Sequence, residues 1–103
     1  MKKLENIRTN YKLGNLNQSS LAIDPISQFK AWFSEVVDKI TEPNAMILST
    51  CEQKESVSAR VVLLKEIKKD GFVFYTHYNS LKGQQIEFNN NVALSFFWPK
   101  HQR

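Results

Sequence analysis

The spacing of apolar residues divides the chain into a polar opening, one helical stretch and a series of runs with the period of β-strands. Residues 1–23 are rich in Asn, Ser and Leu without sustained periodicity, which predicts a mobile N-terminal arm. The first regular element begins at Asp24-Pro25, where a carboxylate suited to an N-cap precedes a proline that sacrifices nothing at the first helical position. Apolar side chains then fall at Ile26, Phe29, Phe33, Val36, Val37 and Ile40, a stripe of helical period that Pro43 closes. Such a stripe predicts a helix packed over a sheet.

Beyond Pro43 the period changes to two. Ala45 to Cys51 predicts a strand, and Glu52 to Glu55 its turn. Ser56 to Ile67 predicts a longer strand with Val57, Ala59, Val61, Leu63 and Ile67 on one face, followed by a hairpin-type turn at Lys69-Asp70-Gly71. Phe72 to Tyr78 returns beside it. Asn79 or Ser80 then caps a short helix through about Asn90, and Val92 to Trp98 forms a fourth strand ended by Pro99. The expected order is helix, three-strand meander, helix, strand. This is a mainly β (α+β) fold of about four antiparallel strands plus two helices, part of a barrel or of an open sheet. Four strands do not close a barrel, so the face bearing Val92, Leu94, Phe96 and Trp98 is expected to need a cover.

Length and composition add bounds to this pattern. With 103 residues, 42% of them apolar and 23% charged, the chain is one globular domain rather than a disordered or fibrous one. A core of this size is modest, so association with a partner stabilises it disproportionately. The formal charge of +4 suits nucleic acid, an anionic membrane surface or a phosphorylated small molecule alike. The basic residues are scattered (Lys2-Lys3, Lys68-Lys69, Lys100), and most of them read as a solvated surface. A single cysteine, Cys51, rules out an internal disulfide, and with only two histidines no zinc ligand set is expected. No apolar signal-peptide core follows Met1-Lys2-Lys3 and no segment has the length of a membrane span, so a reducing, cytoplasmic location is expected.

The candidate chemistry lies in the second half. Arg60-Val61-Val62-Leu63-Leu64-Lys65 places two cations at the ends of an apolar strand; Tyr75 and Thr76 follow, then Ser80 and Lys82 at a helix start. Cations, hydroxyls and the free N–H groups of a helix N-terminus together fit a phosphorylated ligand. The same residues also admit an ordinary reading, in which cations flank a strand and Ser80 is only a cap. In a regular strand Arg60 and Lys65 point to opposite sides, so one ligand meets both only through a bulge, a twist or a second phosphate. His77 and His101 fall in no motif, Cys51 reads as a small buried hydrophobe, and Trp32 and Trp98 read as packing residues.

The ordered series R-V-V-L-L-K, F-V-F-Y-T, N-S-x-K-x-x-Q-I-E and F-F-W-P resembles that of the pyridoxamine/pyridoxine 5'-phosphate oxidase family, as do the D-P-I-x-x-F helix start and the A-M-I-L-S-T strand. The resemblance runs from about Arg8 to Arg103, in register throughout, and matches the family's N-terminal half. It implies an FMN-binding split β-barrel, here incomplete, with residues 1–23 as the arm and 24–103 as half of the barrel domain. It implies further a cytoplasmic homodimer that holds FMN between subunits and uses oxygen to oxidise pyridoxamine or pyridoxine 5'-phosphate to pyridoxal 5'-phosphate, with no nucleic-acid or membrane partner.

Carried over by position, Arg60, Val61, Val62, Leu63, Leu64 and Lys65 would line FMN, with Arg60 at its phosphate; Tyr75, Thr76, Ser80 and Lys82 would complete this half of the site. Lys65 would also reach the substrate phosphate, so that two cations meet two phosphates, and Arg8 and Tyr11 would close over the substrate. Hydride passes to the flavin in such a reaction, so no dedicated catalytic side chain is identified and no metal is expected. Leu81 departs from the family, which commonly has a basic residue there; its loss removes a contact of roughly 1.5 to 3 kcal/mol to the FMN phosphate. The family's second half supplies the remaining strands and further ligands, so a complete active site is not expected from these residues alone. Three other classes fit parts of the pattern: a non-catalytic flavin- or haem-binding split barrel, a nucleic-acid-binding domain that stacks bases on Phe72, Phe74, Tyr75 and Tyr78, and a chain that only pairs with another.

Overall fold

The computed structural model describes residues 3–8, 10, 17–51, 56–76 and 81–99, with the side chains of Leu81, Lys82, Gln85 and Phe88 outside the description. The opening segment carries two exposed 3-10 turns, Leu4–Asn6 and Gln18–Ser20. Its end is tied to the domain where the Ala22 N–H donates to Gln28 Oε1 at 2.6 Å.

Helix α1 spans Pro25–Val36 and starts as the sequence predicts. Asp24 Oδ1 accepts the Ser27 N–H at 2.8 Å, and the Ser27 hydroxyl donates to Asp24 Oδ2 at 2.8 Å. These bonds satisfy a donor that the first turn would otherwise leave without a partner. The stripe faces inward: Val36 is buried, Ile26, Phe29, Phe33 and Ile40 are half-buried, and only Val37 is exposed. The helix stops before Pro43, and the link passes through Glu42, whose φ of 48° lies in the left-handed region that costs a side chain with a Cβ.

Four strands were expected; among the described residues five form, and all but the first are shorter than expected. They are β1 (Ala45–Cys51), β2 (Val57–Leu63), β3 (Glu66–Lys68), β4 (Gly71–Val73) and β5 (Ala93–Ser95), with helix α2 (Leu81–Phe88) between the last two. One antiparallel sheet has the order β2-β1-β5, with Ile47 opposite both Val61 and Ser95. The second is the hairpin β3-β4, in which Lys68 pairs with Gly71 across Lys69-Asp70.

The long strand expected over 56–67 is therefore two. At the break the Leu64 N–H donates to the Asn44 carbonyl at 2.8 Å, Asn44 Nδ2 donates to the Leu64 carbonyl at 3.1 Å, and the Lys65 N–H turns to the Val73 carbonyl at 2.8 Å. Burial alternates through Val62 and Leu64 on the inside, then slips by one, so that Ile67 packs on the core while Val57, Ala59, Val61 and Leu63 stay outside. The single face expected for these five residues is thus corrected. Among the described residues the return strand expected over 72–78 shortens to β4, with 77 and 78 outside the description, and the strand expected over 92–98 shortens to β5.

The core lies between α1 and the inner faces of both sheets, around Met46, Leu48, Val62 and Leu64. Phe29 is its hub: its ring centroid lies 4.9 Å from that of Phe72, 4.8 Å from Phe96 and 5.6 Å from Trp98. Trp98 Nε1 donates to the Pro43 carbonyl at 3.1 Å, which fixes the indole as well as burying it. Leu94, Phe96 and Trp98 therefore face inward and are covered. The uncovered apolar face is the opposite one, where Ile47, Val57, Val61 and Phe97 are 45%, 72%, 67% and 71% exposed.

Two outcomes follow from this packing. Phe29→Ala removes the ring that joins the two sheets and is expected to cost about 3 kcal/mol in urea unfolding, the range for a large aromatic truncation; a loss well under 1 kcal/mol would remove Phe29 from the centre of the core. The Ser27 N–H, then the Ser27 hydroxyl, holds the Asp24 carboxyl below its ordinary value of 3.8. A lowered acid stabilises fully above its unfolded value and loses that contribution as pH falls through the folded one. The stability advantage of the wild type over Asp24→Asn should therefore be full near neutral pH and shrink in the acid range below 3.8; a pH-independent difference would contradict the cap's charge.

Candidate functional site

Side-chain parity on β2 decides where each candidate goes. Even positions face the core, and Arg60 is one of them, half-buried beside buried Val62. Its Nη1 donates to Thr50 Oγ1 of β1 at 3.2 Å. Thr50 is 2% exposed, the polar member of the buried set. Burying a hydroxyl without a partner costs energy, and among the described residues no buried side-chain nitrogen or oxygen lacks one.

Odd positions face outward, so Val61 and Leu63 present exposed side chains, whereas Val62 and Leu64 are core residues. The two parities also differ in their backbone. In an antiparallel ladder only alternate residues bond a given neighbour; Leu64 bonds toward Asn44 beside β1, so the same phase directs Arg60 and Val62 toward β1. Ala59, Val61 and Leu63 then direct their N–H and C=O groups to the other edge, which carries no strand of this sheet among the described residues. Polar backbone at an open edge beside apolar side chains suits a planar heteroaromatic ligand with hydrogen-bonding atoms on its rim.

Lys65 follows directly after the break, with its side chain exposed. Because its N–H is bonded to Val73, the segment that leads to Tyr75 and Thr76 starts beside it. Tyr75 and Thr76 are exposed and line a recess of about 320 Å³ with Phe74, Gly83, Ile86 and Glu87, against the first turns of α2. Lys65 borders a different recess of about 510 Å³, with Phe33, Pro43 and Leu64. Val61 lines a third of about 210 Å³ on the outer face, with Ile47 and Phe97. The structure thus brings Lys65 near the Tyr75-Thr76 segment along the chain, sets Arg60 on the inner side of β2, and does not gather all candidates into one cavity.

Arg8 is exposed in the opening segment. Tyr11, His77, Ser80 and His101 lie outside the described residues, as do the side chains of Leu81 and Lys82. Cys51 is half-buried at the end of β1. Thr50 was not singled out by its sequence, yet a signal was there: it follows Met46 and Leu48 at the same parity, a polar residue in an otherwise apolar inward series.

Among the described residues no helix is long and apolar enough to cross a membrane. Comparison with known proteins identifies the arrangement. The family model described as pyridoxamine 5'-phosphate oxidase matches residues 33–103. Three proteins named pyridoxine/pyridoxamine 5'-phosphate oxidase are similar along almost the whole chain. That of Rhodopirellula baltica is 42% identical over 97% of this chain and 46% of its own length. That of Leptospira biflexa is 46% identical over 100% and 49%, and that of Cupriavidus pinatubonensis 47% identical over 100% and 49%. The chain therefore spans about half the length of the curated relatives it matches.

Among solved structures, PhzG from Burkholderia lata 383, crystallised with tetrahydrophenazine-1-carboxylic acid, superposes with a TM-score of 0.78 at 25% identity, over 85% of this chain and 45% of PhzG. The fold is mainly β, with antiparallel sheets of the split-barrel type. On the extent of the family match and the identity of its relatives, this chain belongs to the pyridoxamine 5'-phosphate oxidase family of oxidoreductases, built on the flavin-binding split barrel.

Proposed function

We propose that this chain forms one half of an FMN site in which pyridoxamine or pyridoxine 5'-phosphate is oxidised to pyridoxal 5'-phosphate. The observation that carries the reading is β2 itself: one strand offers an anchored guanidinium on one side, an open backbone edge, and an ammonium just beyond its end. The donor set fits the ligand, because a dianionic phosphate is held by guanidinium, ammonium and hydroxyl donors, and a flavin ring by backbone groups beside apolar side chains.

In this reading Arg60 binds the FMN phosphate, with Ser80 and Lys82 at the start of α2 beside it. Val61 to Leu64 line the ring, Val61 and Leu63 through the backbone groups of the open edge, and Tyr75 and Thr76 border it. Lys65, five residues beyond Arg60 and at most roughly 17 Å from it along extended chain, takes the substrate phosphate. That distance separates two phosphate subsites. Arg8 and Tyr11 of the N-terminal arm close over the substrate and limit its access to water. When bound, FMN supplies the two-electron acceptor, which oxygen regenerates. The chain's residues contribute orientation and charge, with no covalent step of their own.

The exposed apolar face of β1 and β2 and the half-length match support completion of the site by further polypeptide, which in the cytoplasmic homodimer we propose includes a second subunit. A second reading, a split barrel of the same family acting on another ring substrate, is favoured by the likeness to PhzG. Identities of 42–47% to proteins named for B6 oxidation, against 25% to PhzG, weigh for the first.

Three measurements test these statements. Purified protein mixed with FMN should show a bound-flavin visible spectrum, which pyridoxine 5'-phosphate bleaches in the absence of oxygen; a bound flavin that stays oxidised would sink the B6 reading while leaving the cofactor. Arg60→Ala and Lys82→Ala should each weaken FMN retention roughly tenfold or more, the scale of a charge-assisted contact; unaltered binding removes that residue from the site. Phe97→Lys places a charge on the outer face and should shift the protein toward monomer in light scattering, with little loss of secondary structure; an unchanged mass would move the subunit contact elsewhere.

A further inference from the structure

The inner face of the β1–β2 pair changes character along its length. Met46, Leu48, Val62 and Leu64 make its apolar end, and Thr50, Ser58 and Arg60 its polar end. Thr50 pairs with Ser58 and Leu48 with Arg60, so Thr50 and Arg60 are diagonal neighbours on one face, within reach for a long side chain. Valine has the same branched shape, suits a strand as well, and would bury no hydroxyl. Packing alone therefore gives no reason for threonine at a site 2% exposed. The hydrogen bond from Arg60 Nη1 at 3.2 Å does.

A guanidinium is planar, so fixing one of its N–H groups sets the direction of the rest of the fork. We propose that Thr50 is a positioning residue for Arg60: by accepting from Nη1 it locks the plane of the cation against β1, so that Arg60 meets a phosphate in one orientation. The inference rests on the reading of Arg60 as a ligand of the FMN phosphate. Thr50 itself does not touch the flavin. Its contribution is to spare Arg60 the loss of side-chain freedom on binding.

The test compares Thr50→Val, which keeps the shape and loses the acceptor, with Thr50→Ser, which keeps the acceptor and loses a methyl. Affinity is read by flavin fluorescence for FMN and, separately, for riboflavin, which lacks the phosphate. The order of the guanidinium is read without ligand, from the side-chain ¹⁵N–¹H signals of Arg60. Thr50→Val should weaken FMN binding roughly three- to tenfold, leave riboflavin unchanged and broaden the Arg60 signals, while Thr50→Ser stays near wild type on all three.

If Arg60→Ala weakens FMN and Thr50→Val does not, the positioning role is wrong and the flavin reading stands. If Arg60→Ala changes nothing, or the chain takes up no FMN, the flavin reading fails at Arg60 and the guanidinium signals alone decide: order lost in Thr50→Val upholds the positioning role, and order kept overturns it. Equal losses in the Val and Ser variants would assign Thr50 to packing and overturn it as well.

Discussion

The contact of Phe29 with both sheets is the constraint from which the rest of the structure follows. The two sheets share no paired strand among the described residues, and they are joined by the backbone at Lys65 and by side chains. Phe29 touches Phe72 from one sheet and Phe96 and Trp98 from the chain that follows β5, while its helical neighbour Phe33 reaches Trp98 at 6.1 Å. Each aromatic pair adds only about 0.5 to 1.5 kcal/mol beyond area burial. Their effect is geometric, because a ring shared by three partners fixes the angle between the sheets. Trp98 extends the constraint through its bond to Pro43, immediately before Asn44, whose two bonds to Leu64 set where β2 ends.

That chain of contacts explains which features were legible in the sequence. The start of α1 depends on Asp24, Pro25 and Ser27 alone, all within one turn, and the sequence states it plainly. The strand Ala45–Cys51 likewise has the predicted bounds, because its alternation is local. The break after Leu63 is not local. Leu63, Leu64 and Ile67 keep the run apolar on either side of Lys65-Glu66, and the interruption is made by partners at Asn44 and Val73, 20 and 8 residues away in sequence. Nothing in residues 63–67 announces it.

The choice of buried face was hidden for a related reason. Leu94, Phe96 and Trp98 share a face, as their spacing says, but period two cannot say which of two apolar faces the helix will take. Phe97 looks no less suited to the core than Phe96. Phe29 settles the matter by packing its ring against Phe96 and Trp98, and leaves Phe97 with Ile47 and Val61 on the outside. For the site, the sequence supplied the cations and hydroxyls and the order in which they come. It did not single out Thr50, because a polar break in an apolar inward series names no partner until the diagonal neighbour across β1 and β2 is seen.

These limits converge on one strand. β2 is seven residues long and its two parities answer to different demands. Even positions must fit the inner face, and there the hydroxyl of Thr50 meets the guanidinium of Arg60 at the polar end of that face. Odd positions are free of the core, keep their backbone groups at the open edge, and expose apolar side chains on the outer face. An arginine moved by one residue would sit on the outer face, away from Thr50, so the identity of residue 60 is bound to the parity that the core sets. The phase slip before Ile67 then lets the chain return to the core without carrying Lys65 inside. In that sense the packing around Phe29 and the placing of the two cations are one problem, solved by the same break in the strand.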